Sequence, residues 1–331
     1  MTKRRINKQQ TARIQKNQDK FRDFEDDNAE NNEDGLVISR FSRHAEVENK
    51  QGYRIHCAIR PNIDSLVAGD RIIWQPAENG RGVIVSRYPR ESVLGRPDKR
   101  GSSKPVAANI TQLMIVVAVK PELSWPLLDS YLVMAENLKL QATIILNKAD
   151  LPCETIRQEL IVCYQALGYS LLFTSKQDMM GYDALQNALN DHTSVFVGQS
   201  GVGKSSLISG ILPHEVDIPV GDISTLSELG CHTTSNSRLY HLLKGGALID
   251  SPGVREFGLW KMSAADIIYG FREFRPLVSQ CRFRNCNHQD SPGCALVQAA
   301  REGLVSKRRY ESLIKIATQL AEHSRNNDCY R

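Results

Sequence analysis

Nine consecutive residues, Gly198-Gln199-Ser200-Gly201-Val202-Gly203-Lys204-Ser205-Ser206, spell G-x-x-x-x-G-K-[ST]. That is the spacing of a phosphate-binding loop. Its glycines let backbone N–H groups turn inward around the phosphates, and the helix that follows adds the positive end of its dipole. Lys204 would reach the β- and γ-phosphates and Ser205 would hold Mg²⁺. Asn147-Lys148-Ala149-Asp150 reads N-K-x-D. A carboxylate there can accept two hydrogen bonds, from guanine N1–H and from the exocyclic N2 amine. Adenine presents the opposite pattern and would leave buried polar groups unpaired, so the choice is strong. The lysine stem can lie over the base and Asn147 can tie neighbouring loops. Ser175, followed by Lys176, fits the loop that backs the base.

Further along, Ala247-Leu-Ile-Asp250-Ser-Pro-Gly253 is an apolar run ending in D-x-P-G. Asp250 suits an outer-sphere contact to Mg²⁺, and the Gly253 N–H suits the γ-phosphate. Between the two, Gly230-Cys-His232-Thr233-Thr234 reads as a first switch, where a threonine would complete the Mg²⁺ shell. Together these are the parts of a GTPase, with His232, Lys204 and Thr234 as its candidate catalytic side chains. In many GTPases a glutamine follows the D-x-x-G glycine and orients water. Here that position is Val254, which has no side-chain hydrogen-bonding group. His232 is either its replacement or a purely structural switch residue. A GTP-binding switch with negligible intrinsic hydrolysis therefore stays open beside the enzyme reading.

Cys281, Cys286, His288 and Cys294 form C-x₄-C-x-H-x₅-C within fourteen residues. Three thiolates and an imidazole make a closed tetrahedral set, as in a structural Zn²⁺ site with no open catalytic position. The other cysteines (Cys57, Cys153, Cys163, Cys231, Cys329) are scattered and read as ordinary thiols.

The elements that must position these groups alternate. Gln112–Val119 is a continuous apolar run, as expected of a strand covered on both faces of a parallel sheet. Residues 126–140 carry apolar side chains at helical spacing, 142–146 is the next strand, and a second helix runs to a stop at Gly168. Leu171–Thr174 is a further strand, and a helix around 182–189 returns to Thr193–Val197 and the phosphate loop. The guanine-reading motif thus precedes the phosphate loop, the reverse of the usual GTPase order. The domain reads as circularly permuted, so the segment after Asp250 leads straight into the C-terminal domain, where loss of a γ-phosphate could move what is attached.

Upstream, residues 35–96 show short strands at 36–38, 53–59, 71–74 and 82–85, punctuated by Gly, Pro and Asn. They suggest a small barrel, an OB-fold first and an SH3-like barrel as the alternative. Arg40, Arg43, Arg54, Arg60, Arg81 and Arg87 supply positive charge to it, which an RNA-binding barrel needs. Residues 1–22 are basic with one acid, Asp19, and residues 23–34 carry seven acids and no base. Neither can build a core, so 1–34 reads as a disordered arm whose basic half could meet nucleic acid. Residues 89–105 read as a basic linker, and 301–325 as a final helix bearing Lys307, Arg308 and Arg309.

The chain has 331 residues, 41% of them apolar, and a formal net charge of +5. No apolar run approaches the ~20 residues a membrane span requires, and the basic N-terminus lacks the apolar core of a signal peptide. A cytoplasmic protein without membrane contact is the expectation. The fold expected is multidomain α/β: an OB-type β-barrel over 35–98, a circularly permuted P-loop GTPase domain over 105–260, and a helical zinc-binding domain over 261–331, after the 1–34 arm.

A barrel, a GTPase whose guanine motif precedes its phosphate loop, and a Cys-Cys-His-Cys zinc lobe resemble the RsgA (YjeQ) family of GTPases, from about Gly35 to about residue 325. The resemblance implies GTP and GDP as ligands, Mg²⁺, and one structural Zn²⁺. It further implies action late in small-ribosomal-subunit maturation, contact with ribosomal RNA through barrel and zinc lobe, faster hydrolysis on the subunit, and release of other assembly factors. A monomer is expected.

Overall fold

A computed structural model describes residues 31–63, 65–97, 103–177, 179–212, 237–250, 262–289 and 291–328. Five strands build the N-terminal barrel: β1 (Glu33–Phe41), β2 (His44–Asn49), β3 (Arg54–Ile59), β4 (Arg71–Pro76) and β5 (Gly82–Arg87). They run in the order β1-β2-β3-β5-β4, and β4 returns to pair with β1. β3 and β5 are parallel while the other neighbours are antiparallel. This closed five-stranded order is that of an OB-fold and removes the SH3-like alternative. Val37, Val47, Ile72, Trp74 and Ile84 fill its interior. Cys57 joins them, and burial pushes its thiol up to about 12, consistent with an inert packing role. β1 begins at Glu33, inside the acidic stretch: Asp34 accepts the Tyr88 hydroxyl at 2.7 Å and pairs with Lys50 at 2.9 Å.

The stretch expected as a linker is structured. β6 (Val93–Pro97) and β7 (Ser103–Ala108) form an antiparallel hairpin. Leu94, Ala107 and Ala108 are buried, and Ala68 of the barrel bridges to Ala107. Composition suggested a linker because Gly, Pro, Lys and Arg outnumber these few apolar anchors.

The α/β domain has β8 (Gln112–Ala118), α1 (Trp125–Asn137), β9 (Gln141–Asn147), α2 (Glu154–Cys163), β10 (Ser170–Thr174), α3 (Tyr182–Leu189), β11 (Thr193–Val197), α4 (Lys204–Ile211), β12 (Arg238–His241) and β13 (Ala247–Asp250). The order is β10-β9-β8-β11-β13-β12, with every neighbour parallel except β12, which is antiparallel to β13. β8 shows why a doubly covered strand reads as one apolar run. Leu113, Ile115 and Val117 face the layer containing α1, while Met114, Val116 and Ala118 face the layer of α3 and α4. β1 pairs with β12 through Ser39 and Arg238, so barrel and α/β sheet are continuous.

The C-terminal lobe is helical: α5 (Ala264–Tyr269), α6 (Arg275–Val278), α7 (Ala295–Arg301) and α8 (Lys307–Asp328). The helix expected over 301–325 is interrupted, because the chain turns at Gly303 (φ 74°) between α7 and α8. Ser263 and Asp266 cap α5 reciprocally. Phe271, Phe274, Leu296, Leu313 and Ile316 pack into the same core as Leu128, Tyr131 and Leu132 of α1. The lobe is therefore seated on the α1 face. Arg309 is 1% exposed and pairs with Asp129 of α1 and with Glu273 at 2.7 Å, lying over the Tyr164 and Phe271 rings. Arg272 and Arg275 pair with Glu136 at 2.7 and 2.5 Å, and Arg308 pairs with Glu159. Charges that the sequence offered to RNA are thus engaged at the seam between lobe and α/β domain. Arg282 and Arg284 remain exposed beside Cys281 and Cys286, with Arg282 over the half-exposed Phe283. Among the described residues no helix is long and apolar enough to cross a membrane.

Candidate nucleotide site and metal centre

The carboxyl ends of β8, β9, β10, β11 and β13 share one edge of the sheet, the place where α/β sheets bind ligands. The phosphate loop leaves β11 and enters α4. Gly198 adopts φ 143° and Gly203 φ 98°. A Cβ on Gly198 would lie 2.2 Å from the Val116 carbonyl oxygen, and one on Gly203 2.3 Å from Asn147 Nδ2. Only glycine fits either place. Lys204 Nζ lies in the mouth of the loop, donating to the carbonyls of Gly198 (2.7 Å) and Gln199 (2.8 Å). Val202 is buried beneath the loop, while Ser205 and Ser206 stand half-buried on the first turn of α4. Gln199, Ser200 and Gly201 form the arch between them.

The guanine-reading motif is tied to that loop by hydrogen bonds. Asn147, 4% exposed at the end of β9, donates from Nδ2 to the Val202 carbonyl at 2.9 Å and accepts the Thr174 hydroxyl at 3.0 Å. Lys148 Nζ donates to Lys120 O (2.7 Å) and Gly201 O (2.8 Å), stapling the exit of β8 to the phosphate loop. The Ser175 hydroxyl donates to Asp150 Oδ1 at 2.7 Å, and Gln177 N donates to Ser175 Oγ at 3.1 Å. One Asp150 oxygen is therefore held by Ser175. Asp250 ends β13, two strands from β8 and next to β11. His232, Thr233, Thr234, Gly253 and Val254 lie outside the described residues.

Sequence spacing missed three contributors to this assembly. Thr174 orients Asn147, the Lys120 carbonyl anchors Lys148, and the Val116 carbonyl crowds Gly198. Two act through the backbone, so residue type carries no signal. Thr174 immediately precedes Ser175 and could have been weighed with it.

In the C-terminal lobe the ligand atoms of Cys281, Cys286, His288 and Cys294 all lie within 4.8 Å of one another. His288 Nδ1 is 3.6 Å from Cys281 Sγ and 3.7 Å from Cys294 Sγ. A tetrahedral zinc with ordinary bond lengths would put nitrogen and sulfur about 3.5 Å apart, so these residues fit the ion. Burial lowers the His288 imidazole from its ordinary value, favouring the neutral ligating form. The Tyr310 hydroxyl of α8 donates to the His288 carbonyl at 2.9 Å, linking the ligand loop to the long helix.

Fold and site define a class: a circularly permuted P-loop GTPase between an OB barrel and a Cys₃His lobe. The family model described as RsgA GTPase matches residues 87–260. A small ribosomal subunit biogenesis GTPase RsgA of Haemophilus influenzae (strain PittGG) is 44% identical over 337 residues, covering 97% of each chain. The structure of YjeQ from Thermotoga maritima superposes with a TM-score of 0.72 at 31% identity, over 88% of this chain and 99% of that one. The circularly permuted GTPase YloQ gives 0.70 at 27% identity, over 90% and 98%. The chain belongs to the RsgA GTPase family and is a GTPase.

Proposed function

We propose that this chain binds Mg²⁺–GTP along the β9–β11 edge and hydrolyses it during maturation of the small ribosomal subunit. The observation that carries the reading is the bond from Asn147 to Val202 O, which joins the guanine reader to the phosphate loop across the permuted connection. Asp150, steered by Ser175, recognises the guanine N1–H and N2 amine. Lys204 and the inward N–H groups of residues 198–206 hold the phosphates. Ser205 and Asp250 stand on the Mg²⁺ side with a switch threonine, Thr233 or Thr234, and Gly253 senses the γ-phosphate. Mg²⁺ supplies charge neutralisation on the phosphates when bound. His232 takes the water-positioning role left by Val254.

Cys281, Cys286, His288 and Cys294 hold one structural Zn²⁺ in a lobe too small to stand on its own core. The partner is the small subunit and its ribosomal RNA, met by the barrel's exposed Arg43, Arg54 and Arg81 and by Arg282 and Arg284 of the zinc lobe. Assembly factors already on the subunit leave when it acts. The protein works as a cytoplasmic monomer. The domain limits that suit this division of labour are 35–98, 105–260 and 261–331. Co-sedimentation with small subunits tests the partner. Binding should be tighter with a non-hydrolysable GTP analogue than with GDP, and replacing Arg282 and Arg284 by Ala should weaken it. Equal, weak association with both nucleotides would overturn the partner assignment.

A further inference from the structure

We propose that Arg238 is a positioning residue that couples the nucleotide site to the barrel, acting through Asp250. The inference rests on the placement of Asp250 on the Mg²⁺ side of the site. β12 and β13 form a ribbon between the two switch motifs: Arg238 follows Thr234 by four residues, and β13 ends at Asp250. Arg238 stands directly opposite Asp250 across the β12–β13 ladder. On its other side it stands opposite Ser39 of β1, which stands opposite Glu46 of β2. Directly opposed residues share a sheet face. Asp250, Arg238, Ser39 and Glu46 therefore form one row across four strands, running from the nucleotide edge into the barrel.

Ser39 is the small member of the row, and Arg238 reaches over it. Its Nη1 lies 2.9 Å from Glu46 Oε2 and its Nη2 3.5 Å from Glu46 Oε1. The side chains are only 29% and 12% exposed, so solvent screens the pair less than an ordinary surface bridge. A second clasp lies at the far end of β12, where His241 Nε2 donates to Glu48 Oε1 at 2.8 Å. Backbone contributes little to this seam, since β1 and β12 share a single residue pair. Ile38 and Ala68 pack into the α/β core, and the two side-chain clasps add the part of the hold that charge can change.

Arg238 is thus flanked by carboxylates, Glu46 on the barrel side and Asp250 on the nucleotide side. A Mg²⁺ ion held against Asp250 with the help of the γ-phosphate would offset that carboxylate's pull, leaving the guanidinium to Glu46 and tightening the barrel on β12. Loss of the γ-phosphate frees Asp250 to compete with Glu46 for the guanidinium of Arg238, its neighbour across the ladder. Linkage makes the effect reciprocal, so a ligand that moves the barrel changes nucleotide preference.

Hydrogen exchange of the β1 and β2 peptides in the full-length protein reads this coupling, compared between GDP–Mg²⁺ and a non-hydrolysable GTP analogue with Mg²⁺. Exchange should be at least threefold slower with the analogue. Glu46→Gln and Arg238→Gln should each abolish the difference, the double variant should be no worse than either, and Arg238→Lys should restore part of it. Basal GTP hydrolysis should stay within twofold for Glu46→Gln, which a merely unstable variant would not achieve, and a thermal melt checks the folding of the Arg238 variants. A nucleotide-dependent difference that survives both single variants, or none in the unmodified protein, overturns the inference. Asp250→Asn is measured alongside: if it leaves the Mg²⁺ dependence of nucleotide binding unchanged, the placement of Asp250 falls, and the coupling with it.

Discussion

Replacing Asn147 by Ala should weaken GTP and GDP binding together. The amide makes two buried bonds, to Val202 O at 2.9 Å and from Thr174 Oγ1 at 3.0 Å, at a site 4% exposed. Truncation leaves a carbonyl and a hydroxyl without their partner. At about 1–1.5 kcal/mol each, up to about 2–3 kcal/mol of order would have to be regained on binding, which sets a ceiling of roughly 30- to 150-fold in Kd. Asn147→Asp is the sharper variant. It keeps an acceptor for Thr174 but sets a carboxylate oxygen against the Val202 carbonyl, so it should bind no better than the Ala variant. Gly203→Ala, whose Cβ would lie 2.3 Å from Asn147 Nδ2, should weaken binding on its own and cost less in the Asn147→Ala background. Titration with a fluorescent GDP analogue measures all of these, with a thermal melt as control for folding. A Kd for Asn147→Ala within threefold of the unmodified protein, or unimpaired binding by Asn147→Asp, would refute the bridge between base reader and phosphate loop.

Asp150→Asn should move preference from GTP toward xanthosine triphosphate by at least tenfold in competition assays, because the amide reverses one side of the hydrogen-bonding pattern; unchanged preference would remove Asp150 from the base. Metal analysis of the reduced protein should find one zinc per chain. A strong chelator, or acidification that protonates the thiolates, should release it together with helical signal from the lobe; a preparation free of zinc and fully folded would contradict the site. Arg309→Met should lower the melting temperature by about 4–7 °C. It strands the buried Asp129 and the mostly buried Glu273 carboxylate, and breaking such a cluster costs about 3–5 kcal/mol.

The chemistry was legible because it depends on residue types at fixed spacing. Gly198–Ser206, Asn147–Asp150 and the Cys281-Cys286-His288-Cys294 set each need particular side chains at particular spacing, and the order of the first two alone disclosed the permutation. β8, β9 and β11 were legible because strands buried on both faces are mostly apolar, with the polar Gln112, Thr143 and Ser194 bonding one another. β2 was not, since Ala45 and Val47 are its only buried apolar residues and charged Glu46 and Glu48 alternate with them toward β12. β12 was missed for a related reason: in Arg238-Leu-Tyr-His241 both ends are committed to barrel carboxylates. Arginines misled most. Composition counts Arg272, Arg275, Arg308 and Arg309 as surface charge, whereas their carboxylate partners lie up to 180 residues away in sequence and appear only in the fold.

The central claim is a GTPase whose chemistry answers to the small ribosomal subunit. Single-turnover hydrolysis of GTP with and without purified small subunits tests it most directly, with Lys204→Ala as the inactive control. The account predicts slow hydrolysis alone, acceleration of tenfold or more on the subunit, and none in the Lys204→Ala variant. Hydrolysis that small subunits leave unchanged would contradict it.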